Sequence, residues 1–424
     1  MTVNLESNLI EKCRLCSSNR LSEVMDLGVL SSCGDFPSEK YAILPKGQLR
    51  LVICELCLLV QLDRNFNLNQ LFHKGYGYET GLNTSMKMHV EKLALEAYEF
   101  LKFPKEFSVL DIGSNDGTLL NFLNYYKPTV SVGVDPTIKY FKSKYHKDIT
   151  TFDLFFDRST QQTISSKLEN KYDLIFTVAM FYDLIDPNEF VECVKKILCP
   201  NGIWVVEVSY LYSMLDSNSI DTICHEHLEY YSLNALNYLL KLHELKVVEY
   251  SINDSNGGSV RLYISHTDSE RIASESFKSA LNQESVISKE IKTLFKEMKK
   301  TVDKYAEQTS HYLASIIGHR IIGLGASTKG NTFLQLYPEI ANQLSGIAEI
   351  NQNKFGCYTP GTNIEIFSEK DIISNSKNII FLVLPWHFKS FILTNFKQLM
   401  DTGKVKIIFA LPKFEIYPEE GLVH

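Results

Sequence analysis

VLDIGSNDGTLL, residues 109–120, begins as an apolar run and ends in a turn that contains glycine. Gly113 and Gly117 allow a tight turn and a close approach of the backbone to a ligand, and Asp111 stands at the end of the run. The next apolar run, VSVGVD, ends at Asp135, 24 residues after Asp111. A strand, a glycine turn, a helix and a second strand with a terminal acidic residue indicate the nucleotide-binding unit of a Rossmann-like sheet.

The cofactor that this unit favours is S-adenosylmethionine. The turn lacks the G-x-G-x-x-G pattern that suits a pyrophosphate, which argues against NAD. Asp135 would accept hydrogen bonds from both ribose hydroxyls, and Asp111 would hold the methionine ammonium group or a water beside it. An ordinary βα turn without a ligand is the alternative. The residues predicted to bind the cofactor are Asp111, Gly113, Asn115, Gly117, Asp135, Asp153 and Ala179.

Apolar runs alternate with helical or loop stretches around this unit. FSVLDIG, VSVGVD, YDLIFTVAM and GIWVVEVS predict strands, and LKVVEYSIND with GGSVRLYISH predicts a terminal hairpin. This alternation is typical of a doubly wound parallel sheet in an α/β protein. An amphipathic helix is predicted before the sheet, with inward positions at Met86, Val90, Leu93, Ala97 and Leu101.

A second α/β region is predicted near the C-terminus. Residues 283–312 predict one long connecting helix, because apolar residues repeat there at steps of three and four, at Ile287, Ile291, Leu294, Met298, Val302 and Tyr305. Beyond it, RIIGLGAST, LSGIAEIN, NIIFLVLPW and KVKIIFALP predict four strands of a second Rossmann-like sheet.

Four of the nine cysteines stand out by their spacing. Cys13-x-x-Cys16 and Cys54-x-x-Cys57 are two short knuckles separated by 37 residues. In a reducing compartment this pattern predicts a tetrahedral zinc site with four thiolates, which leaves no position for a substrate and is therefore structural. Short strands are predicted around residues 49–53 and 58–62. Four unrelated buried thiols are the alternative.

We therefore predict three parts. They are a zinc-binding module at residues 1–70, an S-adenosylmethionine-binding domain at 71–282, and a linker helix with a C-terminal Rossmann-like substrate domain at 283–424.

A second glycine loop, IIGLGASTKGNTFL, spans residues 321–334. Gly325 and Lys329 predict an anion-binding turn at a helix N-terminus, although the Gly-Lys order is not that of a Walker A motif. The pyrophosphate of a dinucleotide or of a nucleotide-linked substrate would fit there, and a purely structural turn is the alternative.

The segment DTICHEHLEYYSL, residues 221–233, concentrates groups that can transfer protons. A histidine has a pKa near working pH and can remove a proton next to a ketone, and a phenol can stabilise the enolate oxygen. A metal site needs a different spacing on a helix, with histidines at i and i+4; an extended pair of ligands or a solvated loop remains as an alternative. We predict acid/base chemistry here, with Tyr76 and Tyr78 closing over the same mouth.

The overall composition excludes other classes of protein. The chain carries a formal net charge of −7 with 22% charged residues and has no basic stripe, so nucleic-acid binding is not expected. No apolar run is long enough for a membrane span, and the N-terminus lacks a secretory apolar core. We predict a cytoplasmic protein without membrane or nucleic-acid partners.

These motifs together resemble the S-adenosylmethionine-dependent C-methyltransferases that act on nucleotide-linked 4-keto-deoxysugars. The resemblance covers almost the whole chain: the cysteine knuckles, VLDIGSNDGTLL, GYGYETG, the HEHLEYYSL motif, NGGSVRLYI, GASTKGN and FLVLPWHF. It implies a three-domain enzyme that methylates carbon 3 of a dTDP-linked or other nucleotide-linked 4-keto sugar, with the substrate between the middle and C-terminal domains. His227 corresponds to the catalytic base of the family.

The chain also departs from the family pattern. Cys224 stands where a tyrosine is frequent, and Tyr182 or Asp183 falls where the family has a histidine. The predicted catalytic residues are His227, His225, Glu226, Tyr76, Tyr78 and Tyr182, and the predicted substrate residues are Tyr230, Tyr231, Asn256, Gly325, Lys329 and Asn331. An O-methyltransferase and a non-enzymatic zinc-module adaptor are the competing hypotheses.

Overall fold

The computed structural model describes residues 4–72, 78–168, 171–376 and 378–418. Strands and helices are numbered below along the chain, and short 3₁₀ turns are given by their residues. Among the described helices, none combines the length and apolar character that crossing a membrane requires.

The N-terminal module, residues 4–72, is built on antiparallel strands around the cysteine knuckles. Its strands are β1 Ser7–Leu9, β2 Leu21–Ser31, β3 Lys46–Cys54, β4 Val60–Leu62 and β5 Arg64–Phe66, followed by helix α1 Leu68–Leu71. The predicted strands at 49–53 and 58–62 are confirmed as parts of β3 and β4. The longest strand, β2, was not predicted, since its pairing with β3 shifts register twice and leaves no simple alternation of apolar residues.

The central sheet has seven strands and follows the predicted strand–helix alternation. Its region contains α2 Thr84–Phe100, β6 Ser108–Ile112, α3 Thr118–Leu123, β7 Val130–Val134, α4 Ile138–Phe141, β8 Thr150–Phe152, α5 Arg158–Leu168, β9 Tyr172–Val178, α6 Pro187–Ile197, β10 Leu198–Ser209, α7 Leu211–Asp216, β11 Glu229–Tyr230, α8 Leu233–Leu242, β12 Leu245–Asn253 and β13 Ser259–His266. The strand order is β12-β13-β10-β9-β6-β7-β8, with β13 antiparallel to both its neighbours. The predicted hairpin is confirmed.

The position of β6 determines where a ligand can bind. It pairs in parallel with β7 on one side and β9 on the other, and all five of its residues are buried. The chain therefore adds strands first on the β7 side of β6 and later on its β9 side. Such a change of direction opens a crevice at the carboxyl ends of the strands, and that is where the glycine turn of residues 113–117 lies.

The predicted long helix at 283–312 is wrong at its start. The structure has α9 Glu275–Ile287, a 3₁₀ turn at Ser288–Glu290, and α10 Ile291–Ser315. Ile287 is 45% exposed, so the buried stripe does not run through this position. Glu284 instead turns inward and accepts hydrogen bonds from the backbone of Leu233 and Asn234 at the start of α8. The stripe of α10 begins afresh at Ile291 and continues through Met298 and Val302.

The C-terminal sheet has six strands. Its region contains β14 Arg320–Leu324, α11 Thr328–Leu336, α12 Pro338–Ala341, β15 Ile347–Glu349, β16 Ile366–Ser368, α13 Glu369–Asn375, β17 Ile379–Val383, α14 Lys389–Asp401, β18 Val405–Phe409 and β19 Glu415–Tyr417. The order is β16-β15-β14-β17-β18-β19, parallel except for β19. The four predicted strands are confirmed as β14, β15, β17 and β18, and the α/β fold class with two Rossmann-like sheets and an N-terminal cysteine module is confirmed.

The three regions contact one another through buried polar groups. Asn331 on α11 donates to the Cys33 carbonyl of the N-terminal module at 2.7 Å. Trp386, in the 3₁₀ turn Trp386–Phe388, donates through Nε1 to Asp221 Oδ2 at 2.9 Å. The HEH segment, which we define as residues 221–233, lies where all three regions meet, because its His225 also bonds to the Gly47 carbonyl of the N-terminal module at 3.1 Å. The domain boundaries after residues 70 and 282 stay predictions.

Candidate active site

A cleft of about 560 Å³ opens at the carboxyl ends of β6, β7 and β9. Five of the predicted cofactor residues line it: Asp111, Gly113, Asn115, Asp135 and Ala179. Gly117 lies just behind the wall, where it begins α3 with φ +77°; a Cβ there would come within 2.8 Å of the Tyr145 ring. Asp153 is exposed after β8, and its neighbours Leu154–Asp157 line the cleft instead.

Asp135 is held rigidly in the cleft wall. Its carboxylate accepts hydrogen bonds from Thr137 N at 2.6 Å, from Thr137 Oγ1 at 2.5 Å and from Asn115 N at 3.0 Å. Burial raises the pKa of Asp135, and these three donors oppose the rise. These donors fill three of the four acceptor positions that a carboxylate offers, so the side chain presents the remaining one, on Oδ2, to the cleft in a fixed orientation.

The charge of the cleft favours a cationic ligand. The described lining residues include no lysine, arginine or histidine, but they include the carboxyl groups of Asp111, Asp135, Asp157, Asp183, Asp186, Glu189 and Glu207. Burial, together with the nearby Asp135 and Asp116, raises the pKa of Asp111 to about 8. An ammonium or sulfonium group would relieve this repulsion, whereas a pyrophosphate would increase it. The carboxyl groups that line the cleft therefore fit S-adenosylmethionine and do not fit the pyrophosphate of a dinucleotide.

Glu207 is a lining residue that the sequence analysis missed. It lies near the end of β10 and contacts His89 Nε2 at 2.5 Å, Arg261 Nε at 2.8 Å and Asn253 Nδ2 at 3.0 Å. Burial would raise the pKa of Glu207, but the contacts with His89 and Arg261 outweigh it and lower the pKa. A glutamate within the apolar run WVVEVS was the available signal. The contact with His89 ties helix α2, which covers the cleft, to the sheet.

His227 is the histidine of the HEH segment that could act as a base. Its Nδ1 lies 2.8 Å from the Thr222 carbonyl oxygen. Because a carbonyl only accepts, Nδ1 carries the hydrogen and Nε2 keeps its lone pair. Burial, and then the charge of Lys329, lower the pKa of His227 to about 4, below the value near working pH that the sequence predicts, so the ring is neutral at pH 7. The centroids of the Tyr182 and His227 rings are 4.3 Å apart.

The two other polar residues of the motif point elsewhere. His225 is fully buried, bonds through Nε2 to the Gly47 carbonyl at 3.1 Å, and packs edge-on against Phe66 of the N-terminal module. Glu226 is also buried, and burial raises the pKa of its carboxyl. No hydrogen bond joins Glu226 to either histidine in the described part of the chain. The structure therefore separates His225 from His227, whereas residues i and i+2 of a regular extended segment would share one face.

The tyrosines differ in their position. Tyr230 borders a small cavity of about 10 Å³ beside His227 and Tyr182, with room for about one water. Tyr231 is fully buried and stacks on Phe181 at 5.3 Å, away from the cleft. Tyr78 lines the cofactor cleft, and its carbonyl lies 3.4 Å from Asn115 Nδ2. Tyr76 lies outside the described residues.

Residues of the C-terminal region reach the same place. Lys329 Nζ donates to the Asn256 carbonyl at 2.5 Å, and Asn256 lines the cofactor cleft. Burial lowers the pKa of Lys329, and the nearby Asp221 opposes this. Gly325 has φ +85°, and a Cβ there would lie 2.7 Å from Pro385, so this glycine shapes the loop.

Four further residues complete this contact between the regions. Asn331, predicted to bind substrate, is fully buried against Cys33. Asp221 and Trp386, which bond to each other, and the neighbouring His387 were not predicted as site residues. Burial, and then the charge of Lys329, lower the pKa of His387, so it stays neutral near Lys329.

The four predicted zinc ligands come together. Sγ atoms of Cys13 and Cys57 are 3.4 Å apart, as are those of Cys16 and Cys54, and all four lie within 4.8 Å of one another. Among the described residues this is the one group of three or more potential metal ligands. Four thiolates at these distances can close a tetrahedral shell around one zinc ion.

Fold and sites together define a zinc-containing, S-adenosylmethionine-dependent methyltransferase. Three family models match successive parts of the chain: "Putative zinc binding domain" at residues 13–72, "Methyltransferase domain" at 86–250 and "C-methyltransferase C-terminal domain" at 254–412. The C-methyltransferase NovU of Streptomyces niveus is 24% identical over 419 residues, which cover 97% of this chain and 98% of NovU. The chain is therefore similar to C-methyltransferases over nearly its whole length.

Similar solved structures cover only part of the chain. A ribosomal protein L11 methylase of Lactobacillus delbrueckii subsp. bulgaricus is 13% identical, with a TM-score of 0.30 over 43% of this chain and 80% of that chain. An S-adenosylmethionine-dependent methyltransferase of Clostridium acetobutylicum is 14% identical, with a TM-score of 0.33 over 42% of this chain and 92% of that chain.

Proposed function

We propose that the enzyme methylates carbon 3 of a nucleotide-linked 4-keto-6-deoxysugar through an enolate, and that His227 is the base. One observation carries the proposal: a neutral imidazole whose Nδ1 bonds to the Thr222 carbonyl and whose Nε2 is left free as an acceptor. The choice of a keto-sugar rests on the resemblance of the HEHLEYYSL, NGGSVRLYI and GASTKGN motifs to sugar C-methyltransferases.

The cofactor cleft and His227 have separate tasks. Bound S-adenosylmethionine supplies an electrophilic methyl group. Asp135 would accept from a ribose hydroxyl in the orientation that Thr137 and Asn115 fix, and Asp111 would face the ammonium group. Both side chains stand at strand ends, so the position of the ligand is fixed by the sheet.

The chemical step requires removal of a proton from carbon. A C–H bond next to a ketone is acidic enough for an imidazole, because its electron pair moves onto the carbonyl oxygen. Nε2 of His227 would take that proton and become charged, and the Thr222 carbonyl would stabilise the charge at Nδ1. The hydroxyls of Tyr182 and Tyr230, which border the same small cavity, would donate to the enolate oxygen.

The substrate nucleotide would lie on the side of the C-terminal sheet. The carboxylate-rich cofactor cleft repels phosphates, whereas Lys329 provides a partly buried cation next to Asn256 at its edge. Gly325 allows the loop that carries Lys329 to approach closely. Tyr78, which lines the cofactor cleft, would complete this wall. We assign the enzyme to the cytoplasm, where its thiolates stay reduced.

The experiment that tests the proposal is the identification of the methylated atom. Incubation of a dTDP-4-keto-6-deoxysugar with S-adenosylmethionine carrying a ¹³C-methyl group should give a product whose label couples to a sugar carbon. A label on oxygen would establish an O-methyltransferase, and no transfer with any nucleotide-linked keto-sugar would reject the substrate class.

A further inference from the structure

The HEH segment is part of the sheet of the N-terminal module. Strand β11 pairs antiparallel with β4 and forms one edge of the four-stranded sheet β11-β4-β3-β2. Leu62 N donates to the Leu228 carbonyl at 2.9 Å, and His225 bonds to the Gly47 carbonyl at 3.1 Å. Along the sequence, His227 therefore lies between His225 and Leu228, and both of these residues are bonded to the N-terminal module.

Arg14 connects the cysteine knuckle with this sheet. It stands between the cysteines of the first knuckle, and its side chain is 3% exposed. The guanidinium donates to acceptors of the strands β4 and β5 and their surroundings: Gln61 Oε1 at 3.2 Å, Leu62 O at 2.9 Å, Arg64 O at 2.8 Å and Asn65 Oδ1 at 2.6 Å. So many fixed acceptors leave the planar guanidinium with one orientation.

The same guanidinium contacts the HEH segment directly. Arg14 Nε lies 3.4 Å from Glu229 Oε1, and the Glu229 side chain is fully buried. Arg14 Nη1 also lies 3.5 Å from the Leu228 carbonyl oxygen. On the other face of the segment, the backbone N–H groups of Leu228 and Glu229 donate to the Tyr182 carbonyl at 2.7 and 3.1 Å. The residue after His227 is thus held between Arg14 and the loop that carries Tyr182.

We infer that Arg14 is a positioning residue for the reaction, through its contacts with Glu229 and with the carbonyl of Leu228, next to His227. This rests on the proposed role of His227 as the base. The cysteine module then contributes to turnover as well as to folding, because the knuckle fixes Arg14 and Arg14 fixes Leu228 and Glu229, the two residues that follow the imidazole. A displacement of about 1 Å at a reacting group can cost about 10²-fold in rate, so loss of this contact should reduce turnover more than binding.

The experiment compares Arg14→Lys, Arg14→Gln, Glu229→Gln and the double variant Arg14→Gln/Glu229→Gln with the wild type. Arg50→Gln is the matched control, because Arg50 also forms ion pairs in this module but is exposed and contacts Asp26 rather than the HEH segment. For each protein, zinc content, affinity for S-adenosylhomocysteine, kcat, KM and deuterium exchange at carbon 3 of the keto-sugar are measured.

For Arg14→Gln and Arg14→Lys we expect kcat and the exchange rate to fall together by about tenfold or more. Zinc content, cofactor affinity and KM should stay within about twofold of the wild type. The double variant should be no slower than the slower single variant, since both remove one contact, and Arg50→Gln should match the wild type.

Wild-type kcat in a zinc-loaded Arg14→Lys or Arg14→Gln protein, or fully additive losses in the double variant, would overturn the inference. If the Arg14 variants do not fold, Glu229→Gln carries the same test, because it retains a buried polar group of equal size. An absence of exchange in the wild type would instead reject the role of His227, so the two failures are distinguishable.

Discussion

Replacement of Asp135 by alanine should weaken cofactor binding by at least about tenfold. A charge-assisted hydrogen bond to a ribose hydroxyl is worth about 1.5–3 kcal/mol. The Asp135 carboxylate is buried and accepts hydrogen bonds from Thr137 and Asn115. Because its replacement also removes the cost of burying a charge, part of the lost binding free energy is offset. The lower figure for a single bond is therefore the safer estimate, and about 1.4 kcal/mol corresponds to tenfold in Kd.

Asp135→Asn is the more discriminating variant. Its amide group would place N–H donors opposite the Thr137 or Asn115 donors, so it should bind at least as weakly as alanine despite its similar shape. Asp148→Ala removes a charge from an exposed position in the same region and is the matched control. Isothermal calorimetry with S-adenosylhomocysteine gives the affinities, and thermal melting shows whether the fold persists. Unchanged affinity in a folded Asp135→Ala protein would refute the assignment of the ribose site.

Three further outcomes are expected. Elemental analysis should find about one zinc per chain, and Cys54→Ser should lower both the zinc content and the melting temperature; metal-free protein purified without chelator would contradict the four-thiolate site. Because the pKa of Asp111 is raised to about 8 and a cation favours its ionised form, cofactor binding at pH 7 should release protons and tighten as pH rises towards 8. Calorimetry in buffers of different ionisation enthalpy measures this release, and its persistence in Asp111→Asn would count against Asp111 as the source. Lys329→Met should raise KM for the sugar nucleotide about tenfold or more and leave binding of S-adenosylhomocysteine unchanged; an unchanged KM would exclude Lys329 from phosphate recognition.

Local sequence patterns were sufficient for the two Rossmann-like sheets and the cofactor loop. Parallel strands that are covered on both faces form short continuous apolar runs, such as SVLDI in β6, and these are visible without any tertiary information. The cysteine knuckles are likewise defined by spacing alone. Most of the cofactor cleft therefore followed from residues that lie within a few positions of a strand end.

Contacts between distant parts of the chain could not be predicted in this way. Strand β11 has two residues and no periodicity, and it pairs with Gln61 and Val60, far away in sequence. In the structure His225 packs into the N-terminal module, whereas His227 lies beside Tyr182. The sequence HEH alone does not indicate that its two histidines have different surroundings.

The same limit explains the missed charged residues. In the sequence, Glu207 only interrupts an apolar strand. Its partners Arg261 and His89 come from distant parts of the chain and are identified by the structure. The break before α10 arises because Glu284 bonds to the start of α8, which the apolar periodicity of the helix does not reveal.

The central claim is that His227 removes a proton from carbon 3, and isotope exchange tests it without the methyl transfer itself. The enzyme is incubated in D₂O with a nucleotide-linked 4-keto-6-deoxysugar and S-adenosylhomocysteine, and deuterium at carbon 3 is followed by NMR. We expect exchange with the wild type and a rate about 10²–10⁴-fold lower with His227→Asn, while the variant still binds sugar and cofactor. Exchange by His227→Asn at the wild-type rate would contradict the account and place the base elsewhere.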